Sequence, residues 1–293
     1  MDKIIHLNTS FFNKMILTLK MIKVQHSIFA LPFAVSSCLV AFKGIPPLLF
    51  LFMICLAMVT ARNAAMSFNR IVDVRFDRLN PRTKDRELPS GQLSVRFAVI
   101  FCIINSILFI AISFYFNMLT FILSPLALII ILGYSLTKRW TAYTQIFLGL
   151  ALGIAPIAAW IASIGTLAPY PFLLGTAVFA WVAGFDVIYS TLDYEHDKKH
   201  NINSFVVKQG IKGALLVSVD YHIFSIIFLI FSGVLQGLSF FYFLGIVIMA
   251  GLLVYEHSLI KPHDLSKVNT AFFTLNGYVS MVFLVFVCLE VLL

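Results

Sequence analysis

The sequence predicts an all-α polytopic membrane protein with nine transmembrane helices, and three observations carry that prediction. Of its 293 residues, 60% are hydrophobic and only 12% charged, with 30 phenylalanines and a mean hydropathy of +0.97. A soluble domain carries roughly 25% charged residues. Apolar runs long enough to cross a ~30 Å hydrocarbon layer as helices recur along the whole length. Lys and Arg gather in alternate segments between those runs, the bias that orients membrane proteins.

The spans fall at roughly 25–42, 46–68, 95–114, 117–137, 142–164, 170–190, 213–233, 236–256 and 270–291. Ahead of them, residues 1–24 form an N-terminal segment in which "FFNKMILTLKMIK" mixes apolar and basic residues at helical spacing, as an interfacial helix does. That segment has no short apolar core with a small-residue cleavage site, so no signal peptide is expected. Residues 25–293 read as one transmembrane domain. "KGIPP" separates spans one and two. Span two then meets no helix breaker until Asn80-Pro81. A helix over 48–79 would be about 48 Å long, so its end must leave the hydrocarbon or line a wet cavity. "NPRTKDRELPSGQLS" precedes span three, and a short turn at Asn117 divides three from four. "LTKRWTAY", "GTLAPYP" and "DYEHDKKHNINSFVVKQGIK" end spans four, five and six; a turn at Gly237 divides seven from eight, and "HSLIKPHDLSKVN" precedes nine.

With a cytoplasmic amino terminus, the N-terminal segment, the loops after spans two, four, six and eight, and the adjoining helix ends hold every Lys and Arg except Lys43. The same bias accounts for the formal net charge of +8, so no nucleic-acid partner is expected. Cys38, Cys55, Cys102 and Cys288 all lie in apolar spans without metal-site spacing and read as small hydrophobes.

Two polar clusters interrupt this apolar pattern. In "FNRIVDVRFDRLNPRTKDR", Asn69, Asp73 and Asp77 stand four residues apart and share one stripe of the emerging end of span two. Such oxygens suit Mg²⁺, which takes a few carboxylates together with waters and phosphate oxygens. Alone, the motif equally describes a solvated helix end with i, i+4 ion pairs. The second cluster, in "GFDVIYSTLDYEHDKKH", offers Asp186, Asp193 and Asp197. On a continuous helix these fall within about a 40° arc, with Tyr189 close to the same stripe. The charge bias places both clusters on the cytoplasmic side. Two facing acidic rows need counter-charge, which divalent cations and a bridging diphosphate supply. Lys23, Arg62, Arg70, Lys138 and Arg139 are placed to hold the remaining phosphate charge. Asp220, Glu256 and Glu290 lie toward helix ends, whereas an ion-coupled transporter places its acids at mid-membrane.

Across essentially its whole length the chain resembles the UbiA superfamily of intramembrane prenyltransferases. The resemblance rests on "KVQHSIFALPFA" in span one, N69-x-x-x-D73-x-x-x-D77, "RTKDRELPSGQLS", "YSLTKR" (Tyr134 to Arg139) and D186-x-x-Y-x-x-x-D193-x-x-x-D197. It implies nine helices around a central cavity open to the cytoplasm and laterally to lipid. It also implies that Asn69, Asp73, Asp77, Asp193 and Asp197 bind an isoprenyl diphosphate through Mg²⁺, with Lys138 on the diphosphate. Where many members read Asn-Asp, this chain has Asn69-Arg70. "ARNAAMSFNRIVD" looks closest to the 4-hydroxybenzoate polyprenyltransferase branch, and equally to relatives that prenylate 1,4-dihydroxy-6-naphthoate in the futalosine route to menaquinone.

The expected chemistry is Mg²⁺-dependent transfer of a polyprenyl group from its diphosphate to a hydroxylated aromatic acid in ubiquinone or menaquinone biosynthesis, at the inner membrane. Asp73, Asp193, Asp186 and Lys138 are the expected catalytic groups. Tyr134 and Tyr189 are candidates to shield an allylic cation. Asp186 either meets the acceptor or supports the metal-binding carboxylates. His26 either meets the acceptor's carboxylate or satisfies a local hydrogen bond. Heme farnesylation or tail transfer to another acceptor would keep the same metal chemistry. A CDP-alcohol phosphotransferase would need an Asp-x-x-Asp-Gly stretch, which is absent.

Overall fold

The computed structural model describes residues 11–23 and 29–293. The described chain forms helices α1 (Phe11–Met21), α2 (Leu31–Phe42), α3 (Leu48–Asp77), α4 (Val95–Phe116), α5 (Met118–Thr137), α6 (Thr144–Ile164), α7 (Pro169–Ser190), α8 (Tyr194–Lys199), α9 (Phe205–Gln236), α10 (Phe240–Leu259) and α11 (Asn276–Leu292). Eight are long and apolar enough to cross a membrane, counting the 23 residues Thr270–Leu292 as one. The shorter α2 has 12 residues; part of the first predicted span, including His26, lies outside the described residues. The nine predicted spans thus each correspond to one helix.

Two boundaries differ from expectation. α3 stops at Asp77, not at Leu79. α9 starts at Phe205, eight residues before the expected 213, because it runs across a kink at Gly210. There φ is +67°, a region a residue with a Cβ rarely enters. The weak polar signal at Asn117 proves to be a hinge between helices. Asn117 Oδ1 accepts from the Thr120 amide at 2.9 Å, and Nδ2 donates to the Ile161 carbonyl at 2.8 Å.

Packing follows chain order: α3, α4, α5, α6 and α7 touch in sequence, then α9, α10 and α11, and α2 closes the ring between α11 and α6. Side chains such as Ile107, Leu126, Val247 and Val254 face outward, as lipid-facing surfaces require. α7 is buried along most of its length. Its contact with α6 is backbone to backbone. A Cβ on Gly153 would stand 2.6 Å from the Gly175 carbonyl oxygen, and a Cβ on Gly175 equally close to that of Gly153. Small residues let membrane helices approach this closely where no hydrophobic driving force separates protein from lipid.

Candidate active site

α3, α5 and α7 bring their polar ends to one end of a central cavity of about 730 Å³. The buried stripe of α3 reads Ala57, Thr60, Ala64, Ser67, Arg70, Asp73, Asp77, recurring every three or four residues; of these only Arg70 lines the cavity, whose α3 wall includes Ala61, Arg62, Ala65 and Asn69. Small side chains give way to charged ones as the helix emerges. Asp73 is 4% exposed. Its Oδ2 is paired with Lys138 Nζ just beyond α5, while its buried Oδ1 has no hydrogen-bond partner. Asp77, the last residue of α3, accepts from Arg86 Nη1 at 3.0 and 2.9 Å. Asn69 lines the cavity, and its Nδ2 donates to Ser135 Oγ at 3.4 Å.

The second row is bent. Asp186 and Tyr189 line the cavity, but α7 ends at Ser190 and a 3₁₀ turn, Thr191–Asp193, leads into α8. A 3₁₀ residue advances about 120° where an α residue advances about 100°. The single face expected for three aspartates is therefore split. Asp186 faces the cavity, Asp193 Oδ2 accepts from Arg82 Nη2 at 2.6 Å, and Asp197 on α8 stands 3.5 Å from His196 Nδ1.

The loop after α3 ties the rows together: Arg86 holds Asp77, and Arg82 holds Asp193. Arg82 Nη1 also donates to Tyr189 Oη at 3.1 Å, with its guanidinium 5.5 Å from the Tyr189 ring centre. Burial works to lower the Arg82 pKa, but the adjacent Asp193 carboxylate and Tyr189 outweigh it and raise the value above the ordinary one. Arg82 and Arg86 both line the cavity. The family resemblance makes the loop "NPRTKDRELPSG", with Arg82, Lys84, Arg86 and Glu87, a cap over the site; its charge pattern does not say which of them turn inward and gives neither arginine a role of its own.

Of the predicted diphosphate contacts, Lys23, Arg62 and Arg70 line the cavity along with Tyr134. Arg62 Nη2 donates to the Lys23 carbonyl at 3.2 Å, and its Nε is buried without a partner. Arg70 Nε donates to the Met21 carbonyl at 3.3 Å. Met21 at the end of α1 and Lys23 just beyond it thus anchor two guanidiniums of α3. Arg139 is exposed and donates to the Val72 carbonyl at 3.1 Å, away from the cavity wall. The opposite wall carries Asn269, Phe272 and Phe273, which sequence reading missed, together with Phe29.

Among the described residues, no three Asp, Glu, His or Cys side chains converge on one point. Of the candidate carboxylates only Asp186 lines the cavity; Asp73, Asp77, Asp193 and Asp197 are not among its lining residues, and the first three are paired with Lys138, Arg86 and Arg82. The partnerless Asp73 Oδ1 and the oxygen-only donors Asn69, Asp77, Asp193 and Asp197 fit Mg²⁺, which fills much of its sphere with water and phosphate oxygens.

An all-helical membrane bundle whose central cavity joins ionic groups to an apolar interior is suited to a ligand with a polyanionic head and an apolar tail. The chain belongs to the UbiA prenyltransferase family, whose profile matches residues 30–278, and is therefore a membrane prenyltransferase. Among curated relatives, the 4-hydroxybenzoate octaprenyltransferase of Francisella tularensis subsp. novicida (strain U112) is 28% identical over 256 residues, covering 87% of this chain and 89% of that one. Among solved structures, the apo UbiA homolog from Aeropyrum pernix K1 superposes with a TM-score of 0.82 at 30% identity, covering 92% of this chain and 99% of that chain. A UbiA homolog from Archaeoglobus fulgidus bound to GPP and Mg²⁺ shares the fold, with a TM-score of 0.71 at 22% identity over 94% of this chain and 100% of that one.

Proposed function

We propose that the protein transfers a polyprenyl group from a polyprenyl diphosphate to a hydroxylated aromatic acid of the 4-hydroxybenzoate type, in quinone biosynthesis, with Mg²⁺ as cofactor. The observation that carries this reading is the continuity of the cavity from ionic end to apolar interior. A second cavity of about 240 Å³ shares the walls Met58, Phe109, Ala127, Ile154, Ala155 and Ala158 with the first and prolongs it between α3, α5 and α6. Apart from a few hydroxyls, its lining is apolar. A prenyl tail running into it is stabilised by about 0.8 kcal/mol per buried CH₂. The relatives support the two ends of the reaction: the Francisella protein is named for an aromatic acceptor, and the Archaeoglobus homolog holds a prenyl diphosphate with Mg²⁺.

Asn69, Asp73, Asp77, Asp193 and Asp197 would hold Mg²⁺, which when bound offsets the negative charge growing on the departing diphosphate oxygens. Arg62 and Arg70 bind those oxygens through charge-assisted hydrogen bonds. Lys138, Arg82 and Arg86 hold the carboxylates in place and turn to the phosphates as the site fills. The allylic C–O bond breaks with its electron pair leaving on diphosphate. Tyr134 and Tyr189 present ring faces to the allylic cation, and the apolar wall excludes water. The acceptor attacks through the ring carbon ortho to its hydroxyl, and loss of the ring proton restores aromaticity; Asp186 orients that hydroxyl. The amino terminus and the ionic end of the cavity are read as cytoplasmic and the membrane as the inner one, a direction that the Lys and Arg bias supports.

Purified protein supplied with labelled polyprenyl diphosphate, Mg²⁺ and either 4-hydroxybenzoate or 1,4-dihydroxy-6-naphthoate tests this directly. Prenylated 4-hydroxybenzoate is the expected product. Product with the naphthoate alone would move the acceptor, and product with neither would end the aromatic reading.

A further inference from the structure

We infer that Asn276 is a positioning residue for prenyl transfer: it holds the turn Thr270–Leu275 so that Phe272 and Phe273 wall the reacting end of the cavity. The inference rests on the reaction proposed above. The turn is a π-helix of six residues running into α11, a rare conformation that occurs often at functional sites. Asn276 is fully buried, as are Glu256 and Trp181 beside it. Trp181 Nε1 on α7 donates to Asn276 Oδ1 at 2.6 Å. Asn276 Nδ2 donates to Glu256 Oε1 on α10 at 2.8 Å and to the Ala271 carbonyl at 3.0 Å. One amide therefore fastens a carbonyl within the turn to two neighbouring helices. Buried polar networks of this kind specify one arrangement of the groups they connect.

What the turn carries explains why that arrangement matters. Phe272 lies 4.2 Å from Tyr189 and 5.2 Å from Phe185, and Phe273 lies 6.1 Å from Tyr189, centroid to centroid. Tyr189 in turn accepts from Arg82, which holds Asp193. Contacts thus run unbroken from Asn276 to the ionic end of the cavity. Each residue of an α-helix turns about 100°, so closing the π-turn to α would rotate its aromatic side chains away from Tyr189.

Once the allylic C–O bond has broken, the cation has two fates. The acceptor's ring carbon forms a C–C bond and loses its proton, or water forms a C–O bond, loses a proton and leaves a prenyl alcohol. A displaced aromatic wall admits water and favours the second. The experiment measures the alcohol-to-ring-product ratio, with hydrogen exchange of residues 270–275, in Asn276→Ala and Trp181→Phe. Trp181→Phe keeps an aromatic ring while removing the indole donor and the volume of the fused ring. Both variants are expected to raise the ratio about three- to tenfold, the factor set by the net contribution of a buried hydrogen bond, and to speed exchange in the turn. Glu256→Ala should do the same, and Glu256→Gln, which keeps the accepting oxygen, should restore both readouts. A wild-type ratio in folded Asn276→Ala or Trp181→Phe overturns the inference, as does failure of both to fold, since the network would then serve the fold alone. Unmodified enzyme that makes no ring product would fail the proposed reaction instead, and the exchange measurement would still decide whether Asn276 holds the turn.

Discussion

Asp73 shows how much of the site rests on single side chains. It is buried at the inner end of α3 with one oxygen on Lys138 and the other without a partner. A carboxylate so placed is costly without a further ligand, and the proposed Mg²⁺ would supply one. Asp73→Ala or Asp193→Ala should therefore lower turnover about 100-fold or more, the range for losing one preorganised electrostatic contact, while membrane insertion stays normal. Near-normal turnover in either variant would contradict the metal assignment. Arg82→Gln removes the guanidinium that joins Asp193 to Tyr189. It should raise the KM for the donor more than it changes kcat, and a kcat effect alone would argue that Arg82 acts only in the transition state. The aspartates stand out in the sequence as candidates because ionisable groups beside apolar runs have few structural explanations, and Asn69 because it shares their four-residue spacing. Arg82 and Arg86 do not, because a loop rich in charges does not encode which of them fold inward.

Helices were predictable where the apolar pattern was long, and less so where the backbone departs from α geometry. Among the described residues a helix stands at each of the nine spans, eight of them long enough to cross, yet the kink at Gly210, the 3₁₀ turn at Thr191–Asp193 and the π-turn at Thr270–Leu275 have no signature in hydropathy. Two of those irregularities shape the cavity, whose lining includes no residue of α9. The 3₁₀ turn splits the second acidic row, and the π-turn supplies an aromatic wall. Gly210→Ala forces a Cβ into a strained backbone region and should cost about 1–3 kcal/mol, read as a lower unfolding temperature in detergent; an unchanged temperature would mean the kink relaxes. The apolar prolongation of the cavity makes a sharper functional prediction. Ala158 lines both cavities, so Ala158→Phe should depress activity with long donors far more than with geranyl diphosphate. Equal losses with both would place the tail elsewhere.

For the molecule as a whole, composition and charge bias specified the class, because a membrane span must be both apolar and long enough. The same bias predicts direction. A cysteine at Ser90, in the loop after α3, should react with an impermeant thiol reagent only once the cytoplasmic face is opened, and one at Gly44 should react from outside. The reverse pattern would invert the protein. What neither composition nor motif spacing revealed is that the loop bridges the two acidic rows through Arg86 on Asp77 and Arg82 on Asp193. The central claim is that these rows act as one grip on a single diphosphate. It is tested most directly by the affinity of a non-reacting polyprenyl thiodiphosphate, measured with and without Mg²⁺, for wild type, Asp73→Ala, Asp193→Ala and the double variant. Binding should require Mg²⁺ and fall about 10- to 100-fold in each single variant, with little further loss in the double. Mg²⁺-independent binding, or losses that simply add, would contradict it.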